Sequence, residues 1–239
     1  MGVREYLKHN LSDYFYAIAF VLAVSFVLGQ TSEPVALIRE REPLPVIILD
    51  PGHGGSDGGT KTESGVLESS INLEISRCLF DLMRLMGMEC VMTRREDVSL
   101  DTEGATVRER KNSDLRNRVQ AVNSRENGIL ISIHQNHFPQ SRYSGPQVFY
   151  AGTPGSEDFA KEMQDTLKFA LAPNSNRTCK SAQGIYLMEK IQKTGILIEC
   201  GFLSNPEEAE KLQSPDYQKK VASAIACATA DFLLRPTLG

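Results

Sequence analysis

Three short apolar segments constrain this chain most, because each leads to a side chain that can bind or assist a metal ion. They are VIILD, followed shortly by His53, ILISI, followed by His134, and ILI, followed by Glu199. The chain has four histidines, so two of them at strand ends form an informative pattern. Ligands of an open α/β sheet bind in the crevice outside the carboxyl ends of its strands. The three segments therefore predict one shared cleft.

Strand-like and helix-like patterns alternate from Val46 onward. The predicted strands span 46–50, 89–93, 129–133, 147–151, 184–188 and 196–200, and the predicted helices span 67–86, 113–126, 156–171, 206–213 and 215–234. Such alternation is typical of the α/β class, in which helices cover both faces of a mainly parallel sheet. We expect a single catalytic domain over residues 46–239, built on a twisted, mainly parallel sheet of about six strands flanked by helices.

The apolar stretch from Tyr14 to Gly29 follows a short polar segment that carries Arg4 and Lys8. Its position and length are typical of a secretory signal peptide or a short membrane anchor, and a buried core helix is the alternative. Residues 1–29 are thus predicted to direct export or to associate with a membrane, so the protein is expected to be extracytoplasmic. Residues 30–45, which contain three prolines, are predicted to form a linker.

The net charge indicates which partners the chain is expected to lack, and the cysteine content indicates whether disulfides are expected. The net charge is −4, from 30 acidic and 26 basic residues, and there is no long basic run, so we expect no nucleic-acid partner. The five cysteines are odd in number and widely scattered, which favours core residues over a disulfide framework. Cys179, in a polar segment, is expected to be the most exposed of them.

His53 lies in the loop DPGHGGSDGG, whose five glycines let the backbone approach a ligand closely. A phosphate-binding loop would need GKS or GKT, or the GxGxxG spacing, and this loop has none of them. His134 directly follows a buried strand, whereas His137 lies three residues further into a loop. We therefore favour His53 and His134 as metal ligands and keep His137 as a competing candidate.

A third ligand is expected near the same sheet edge, because zinc in hydrolases commonly takes three protein ligands and keeps a fourth position for water. On the helix after the glycine loop, Ile71 and Ile75 belong to one apolar face. At about 100° per residue, Glu68 falls near the centre of that face and Glu74 falls well away from it. Glu68 is the predicted ligand, although a first-turn acid can also serve only to stabilise the helix dipole.

Several other charged residues near this edge are weaker candidates. Asp50 and Asp57 could bind the metal, and Asp50 could instead orient a metal-binding histidine. Arg94 and Arg118 lie near the ends of predicted elements, where we expect surface ion pairs rather than a part of the site.

Glu199 ends a buried strand, and a carboxylate there is costly to bury unless it is paired or functional. It suits a general base that takes a proton from zinc-activated water and passes it to a leaving amine. Strand alternation places Cys200 on the opposite face of the sheet, which argues against the alternative of a Cys200 nucleophile partnered by His134.

Four separated motifs resemble those of the zinc-dependent N-acetylmuramoyl-L-alanine amidases. They are DPGHGG with His53 and then Glu68, LRNRVQAVN leading into SIHQN, and IECGFLSN, and the resemblance runs from about Val46 to Leu234. It implies one zinc ion held by His53, Glu68 and His134, with Glu199 as the catalytic glutamate. The implied substrate is peptidoglycan, cleaved at the amide between N-acetylmuramic acid and L-alanine of the stem peptide.

The short chain, without a wall-binding module, is similar to the germination-specific amidases of spore-forming bacteria. That resemblance implies a role in spore cortex, where the cut precedes muramic lactam formation by a separate deacetylase. Little zinc in the purified domain would indicate either a weak site or a required, activating exported partner protein. One departure from the family pattern is His137, where relatives carry a small residue.

Two other functions remain open from the residues alone. One is a different zinc peptidase, such as a carboxypeptidase of the stem peptide. The other is an exported peptidoglycan-binding protein without catalysis.

Overall fold

The computed structural model describes residues 43–235, and its centre is a six-stranded sheet built from the apolar segments of the sequence. The strands are β1 (Val46–Pro51), β2 (Cys90–Met92), β3 (Gly128–Asn136), β4 (Gln147–Tyr150), β5 (Lys180–Ser181) and β6 (Thr194–Phe202). They lie in the order β2-β1-β3-β6-β4-β5. Neighbouring strands are parallel except that β4 runs antiparallel to β6, which confirms the predicted mainly parallel sheet.

Helices cover both faces of this sheet, as predicted. In residues 43–235 they are α1 (Glu68–Leu85), α2 (Val107–Asn123), α3 (Ser156–Leu171), α4 (Tyr186–Lys190), α5 (Pro206–Gln213) and α6 (Pro215–Leu234). Ile47 and Ile131 point into the larger apolar layer, with α1, α3 and α6, whereas Ile48 and Leu197 point into the smaller layer, with α2 and α4. Because the central strands are buried on both faces, their sequences are nearly continuous apolar runs.

The start of α2 differs from the prediction, because the helix begins at Val107 rather than at residue 113. Apart from Val107, the residues of its first two turns are polar and mostly solvent-exposed, so they carry no apolar period. The signal that marks this start is a capping box: Thr106 accepts a hydrogen bond from the Glu109 N–H, and the Glu109 carboxylate accepts one from the Thr106 N–H at 2.9 Å.

The predicted strand at 184–188 is wrong, since this segment forms the short helix α4. The edge of the sheet is instead β5, two residues long, which pairs with the end of β4. A short apolar run fits a strand and a helix equally well, and here burial of Leu187 and Met188 in the smaller layer decides for the helix.

The cysteines behave largely as expected. All five are free, and Cys90 and Cys200 are buried in the larger apolar layer. The exposed one is Cys227 on α6, whereas Cys179 is half-buried against the core, so the expectation for Cys179 is wrong.

The predicted export segment and most of the predicted linker lie outside the described residues. Within residues 43–235, no helix combines the length and the apolar character that crossing a membrane requires.

Candidate metal centre and active site

The carboxyl ends of the three central strands bring the predicted site residues together. In the parallel pair β3 and β6, His134 lies directly opposite Glu199. In the pair β1 and β3, Pro51 lies opposite Ile133, so the loop with His53 emerges beside His134. After that loop, α1 begins at Glu68. Four residues that are far apart in the sequence therefore meet at one sheet edge.

Three of them form a compact set of metal-ligating atoms. Glu68 Oε1 lies 3.4 Å from His53 Nε2 and 3.1 Å from His134 Nδ1. One ligand atom from each of the three residues lies within 4.8 Å of those of the other two. Ligand atoms of a tetrahedral zinc ion, bound at about 2.0–2.2 Å, are about 3.3 Å apart. The observed spacings and the mixed nitrogen and oxygen donors therefore fit zinc.

Glu68 is the hub of this set and is only 3 % exposed. Its Oε2 accepts a hydrogen bond from the Thr60 N–H at 3.0 Å, and its Oε1 accepts bonds from the Gln135 N–H at 3.1 Å and the Asn72 side-chain amide at 3.3 Å. Burial alone would raise the pKa of Glu68, but His134 and His53 outweigh it and hold the pKa well below its usual range. The carboxylate is therefore ionised and ready to bind a cation.

Helix phase placed Glu68 correctly on the buried side of α1. Glu74, which the same argument placed away from the core, is exposed and pairs with Arg77 at 2.7 Å.

His53 is held in an unusual backbone conformation. Its φ of 59° makes it the only non-glycine residue with positive φ in the described part of the chain. This left-handed conformation costs a residue with a side chain about 1–2 kcal/mol. Arg118 donates a hydrogen bond of 2.7 Å to the His53 carbonyl, which helps to offset that cost.

Asp57 orients the His53 ring, a role that the sequence suggested for Asp50. His53 Nδ1 lies 3.0 Å from Asp57 Oδ2, which leaves Nε2 facing Glu68. Burial lowers the pKa of His53, but hydrogen bonds to Asp57 and Glu68 outweigh burial and raise it to about 9. A metal-binding histidine usually donates a hydrogen bond from its other ring nitrogen to an acceptor such as this carboxylate.

Asp50 is instead part of a buried network that holds the end of β1. Its carboxylate accepts hydrogen bonds from Arg118 at 2.6 Å, Thr93 at 2.7 Å and Ser132 at 2.8 Å. Burial would raise the pKa of Asp50, but these three partners outweigh it and lower the pKa. Asp50 is therefore an ionised partner of Arg118, and the charge of the nearby His134 also lowers its pKa.

Arg94 and Arg118 are not surface residues, so the expectation of surface ion pairs is wrong. They are 3 % and 2 % exposed. Arg94 donates to the carbonyls of Pro51 at 2.9 Å and Gly52 at 3.0 Å, and Arg118 donates to that of Pro51 at 3.0 Å. A signal was present in the sequence, since Arg118 lies one helical turn before the apolar Val122 and shares its buried face.

Glu199 lies beside the three ligating residues, and no described residue hydrogen-bonds to its buried Oε2. Burial is the main cause that raises its pKa, to about 7; Glu68 adds to the increase and the two histidines oppose it. A carboxyl group with a pKa near neutral can both take and return a proton.

Cys200 faces the opposite side of the sheet, in the larger apolar layer, as strand alternation predicts. Burial raises the pKa of its thiol, so a thiolate nucleophile at this position is disfavoured. His137, the competing ligand candidate, is exposed and is not part of the ligating set.

Two glycines allow the ligating side chains to approach the loop backbone. A Cβ atom on Gly52 would lie 2.2 Å from His134 Cε1, and one on Gly59 would lie 2.5 Å from Glu68 Oε2. Part of the glycine-rich composition of the loop is therefore explained by the space that the ligands occupy.

We predict that Gly52→Ala weakens zinc binding about tenfold or more, because the new methyl group must displace the His134 ring. Zinc titration of the metal-free protein measures this. The matched control is Gly152→Ala, where an added Cβ meets no atom within 4 Å. Equal zinc affinities in the two variants would contradict the proposed position of His134.

We predict that Arg118→Met lowers the free energy of unfolding by about 3–5 kcal/mol, because it leaves the buried Asp50 carboxylate unpaired. Urea unfolding provides the measurement. Arg116→Met is the control on the same helix: its pair with Glu103 is exposed, so the expected loss is about 0–1 kcal/mol. The double variant Asp50→Asn with Arg118→Met should recover part of the loss; similar stability of the Arg118 and Arg116 variants would contradict the account.

Comparison with known proteins agrees with this geometry. The chain matches the family described as N-acetylmuramoyl-L-alanine amidase over residues 47–231. The germination-specific N-acetylmuramoyl-L-alanine amidase of Bacillus subtilis (strain 168) is 45% identical over 182 residues, which cover 75% of this chain and 76% of that protein.

Solved structures show the same fold. The CwlD amidase from Clostridioides difficile, in complex with the GerS lipoprotein, has a TM-score of 0.76 and 37% identity, covering 79% of this chain and 98% of that one. An N-acetylmuramoyl-L-alanine amidase from Clostridium difficile 630 has a TM-score of 0.71 and 25% identity, covering 83% and 100%. The chain thus belongs to the N-acetylmuramoyl-L-alanine amidase family and is an enzyme that hydrolyses peptidoglycan.

Proposed function

We propose that the protein cleaves the amide between the lactyl group of N-acetylmuramic acid and L-alanine with one zinc ion held by His53, Glu68 and His134. The observation that carries this proposal is the convergence of two imidazole nitrogens on one Glu68 oxygen, at 3.4 Å and 3.1 Å. A buried carboxylate between two imidazoles is the donor set that zinc hydrolases use. When bound, zinc supplies Lewis acidity, which acidifies water and polarises a carbonyl oxygen.

Glu199 is proposed as the general base. Its buried Oε2 has no hydrogen-bond partner among the described residues, so it is free to accept a proton from the attacking water. The raised pKa of about 7 suits the second half of the reaction, in which the carboxyl group returns that proton to the nitrogen of L-alanine. Asp57 and the backbone donors to Glu68 keep the ligating side chains in position while the proton moves.

We predict that Glu199→Gln retains zinc and the fold but lowers kcat by at least about a hundredfold, because the amide cannot accept the proton. His53→Ala and His134→Ala should lose the metal as well as the activity. Metal content and hydrolysis of a purified muropeptide are measured on the same preparations.

Glu189→Gln is the control, since Glu189 is an exposed acid on α4 away from the ligating set. The expected products of the unsubstituted enzyme are a free lactyl carboxylate and a peptide that begins with L-alanine. Undiminished turnover in Glu199→Gln would refute its role, and release of terminal D-alanine instead would refute the cleavage site.

The biological setting that we propose is the spore cortex. It is supported by the 45% identity to the germination-specific amidase of Bacillus subtilis. In this proposal the cut frees the lactyl carboxylate of muramic acid, and a separate deacetylase exposes the amine with which it closes the lactam.

The domain plan and the partner are part of the same proposal. Residues 1–29 export or anchor the protein, residues 30–45 form a linker, and residues 46–239 form the catalytic domain outside the cytoplasm. An exported partner protein assists the enzyme, for which the complex of the Clostridioides difficile CwlD amidase with a lipoprotein is the support.

We predict that spores of the source organism lacking this chain contain cortex without muramic lactam, because no lactyl carboxylate is released. Muropeptide chromatography of purified spores measures the lactam directly. Complementation with the unsubstituted gene should restore it, and complementation with Glu199→Gln should not. Normal lactam content in the deletion strain would contradict the cortex role but not the chemistry.

A further inference from the structure

His137 lines a groove whose lining includes none of the four residues proposed for the active site. The groove has a volume of about 530 Å³, and its walls come from the loop before α1 and from the loops that follow β3 and β6. We call it the His137 groove; among its lining residues are Thr60, Lys61, Glu63, His137, Phe138 and Ser204.

The His137 groove adjoins the metal centre at Thr60. The Thr60 N–H donates to Glu68 Oε2 at 3.0 Å, and His137 follows His134 by three residues. The opposite wall is tied to the same strands, because the Phe138 N–H donates to Ser204 Oγ at 3.0 Å and the Leu203 N–H donates to the Asn136 carbonyl at 2.8 Å. A substrate whose scissile bond lies at the metal can therefore extend into this groove.

The charged lining residues differ between this groove and the depression next to it. Lys61, His137 and the acid Glu63 line the groove together with Thr60. The groove continues into an adjoining depression of about 490 Å³, lined by the acids Glu63 and Glu210 together with Ser64 and Gln213. The charged residues that line the adjoining depression are therefore both acidic, whereas Lys61 and His137 line the groove itself.

The other basic side chains around the metal centre are already paired. Arg118 binds Asp50 at 2.6 Å, and Lys111 binds Asp57 at 3.1 Å. By contrast, no acid within residues 43–235 pairs with the Lys61 ammonium, and none pairs with the His137 ring. These two side chains are the donors left for an anionic group of the substrate.

The stem peptide carries such a group close to the scissile amide. Its second residue, D-glutamate, is joined to the next residue through its side chain, so its α-carboxylate is free. Consecutive Cα atoms are about 3.8 Å apart, so this carboxylate lies one residue step from L-alanine. The diamino acid at the third position carries an amino group, which matches the acids Glu63 and Glu210 of the adjoining depression.

We propose that the His137 groove binds the stem peptide and that Lys61 and His137 select for the free α-carboxylate of its second residue. This inference rests on the proposed cleavage of the muramoyl–L-alanine amide. A lysine ammonium and an imidazole N–H both donate hydrogen bonds to a carboxylate, whereas a carboxamide at that position lacks the charge that strengthens them.

The test compares two N-acetylmuramoyl tripeptides that differ only at the second residue, D-glutamate in one and D-isoglutamine in the other. For the full chain loaded with zinc, we expect kcat/KM to favour the acid by about tenfold, the range of a hydrogen bond to a charged group. In the double variant Lys61→Met with His137→Gln, the preference should fall below about twofold. Lys220→Met, an exposed lysine on α6 outside the groove, should keep it.

A binding measurement keeps the inference independent of turnover. In a Glu199→Gln background, calorimetry with the same two tripeptides should show the same preference for the acid and the same loss in the double variant. Equal kcat/KM values in the unsubstituted enzyme, or an undiminished preference in the double variant, would overturn the inference. Cleavage of neither tripeptide would overturn the proposed function, and the calorimetric preference would then decide the inference by itself.

Discussion

The ionised, buried carboxylate of Glu68 is the constraint around which the rest of the site is arranged. Burying an unpaired carboxylate costs several kcal/mol, so the fold must surround it with compensating groups. It does so with two imidazoles on one oxygen and with N–H donors from Thr60, Gln135 and Asn72. These contacts join the glycine loop, β3 and α1, so the elements that form the core also set the spacing of the ligand atoms.

A second, buried hydrogen-bond network holds the backbone beside this arrangement. Arg94 and Arg118 donate to the carbonyls of Pro51, Gly52 and His53, and Asp50 balances the charge of Arg118. The backbone at the end of β1 is thereby held in a conformation that it would not adopt unaided, including the positive φ of His53. In contrast, Lys61 and His137 line the adjoining groove and have no ion-pair partner among the described residues. The paired groups therefore build the site, and the unpaired ones are available to the substrate.

Much of the fold was predictable, because buried parallel strands are continuous apolar runs and α1 shows a clear apolar face. The predicted strand ends indicated His53, His134 and Glu199 as site residues, and the helical phase of α1 indicated Glu68. The errors at Arg118 and at 184–188 share a physical cause, which is that the decisive contacts are distant in sequence, whereas the start of α2 is marked by a local capping box. Arg118 shares a helix face with the apolar Val122, but burial of its charge becomes predictable only when Asp50, 68 residues away, is placed beside it. Similarly, the segment 184–188 could form a strand or a helix, and its packing against the sheet decides.

The central claim is that one zinc ion lies between His53, Glu68 and His134. Anomalous diffraction from crystals of the zinc-loaded protein, recorded on both sides of the zinc absorption edge, tests it most directly. We predict a single strong peak with His53 Nε2, His134 Nδ1 and a Glu68 oxygen each at about 2.0–2.2 Å. A peak coordinated by His137, or no peak at these three residues in protein shown to contain zinc, would contradict it.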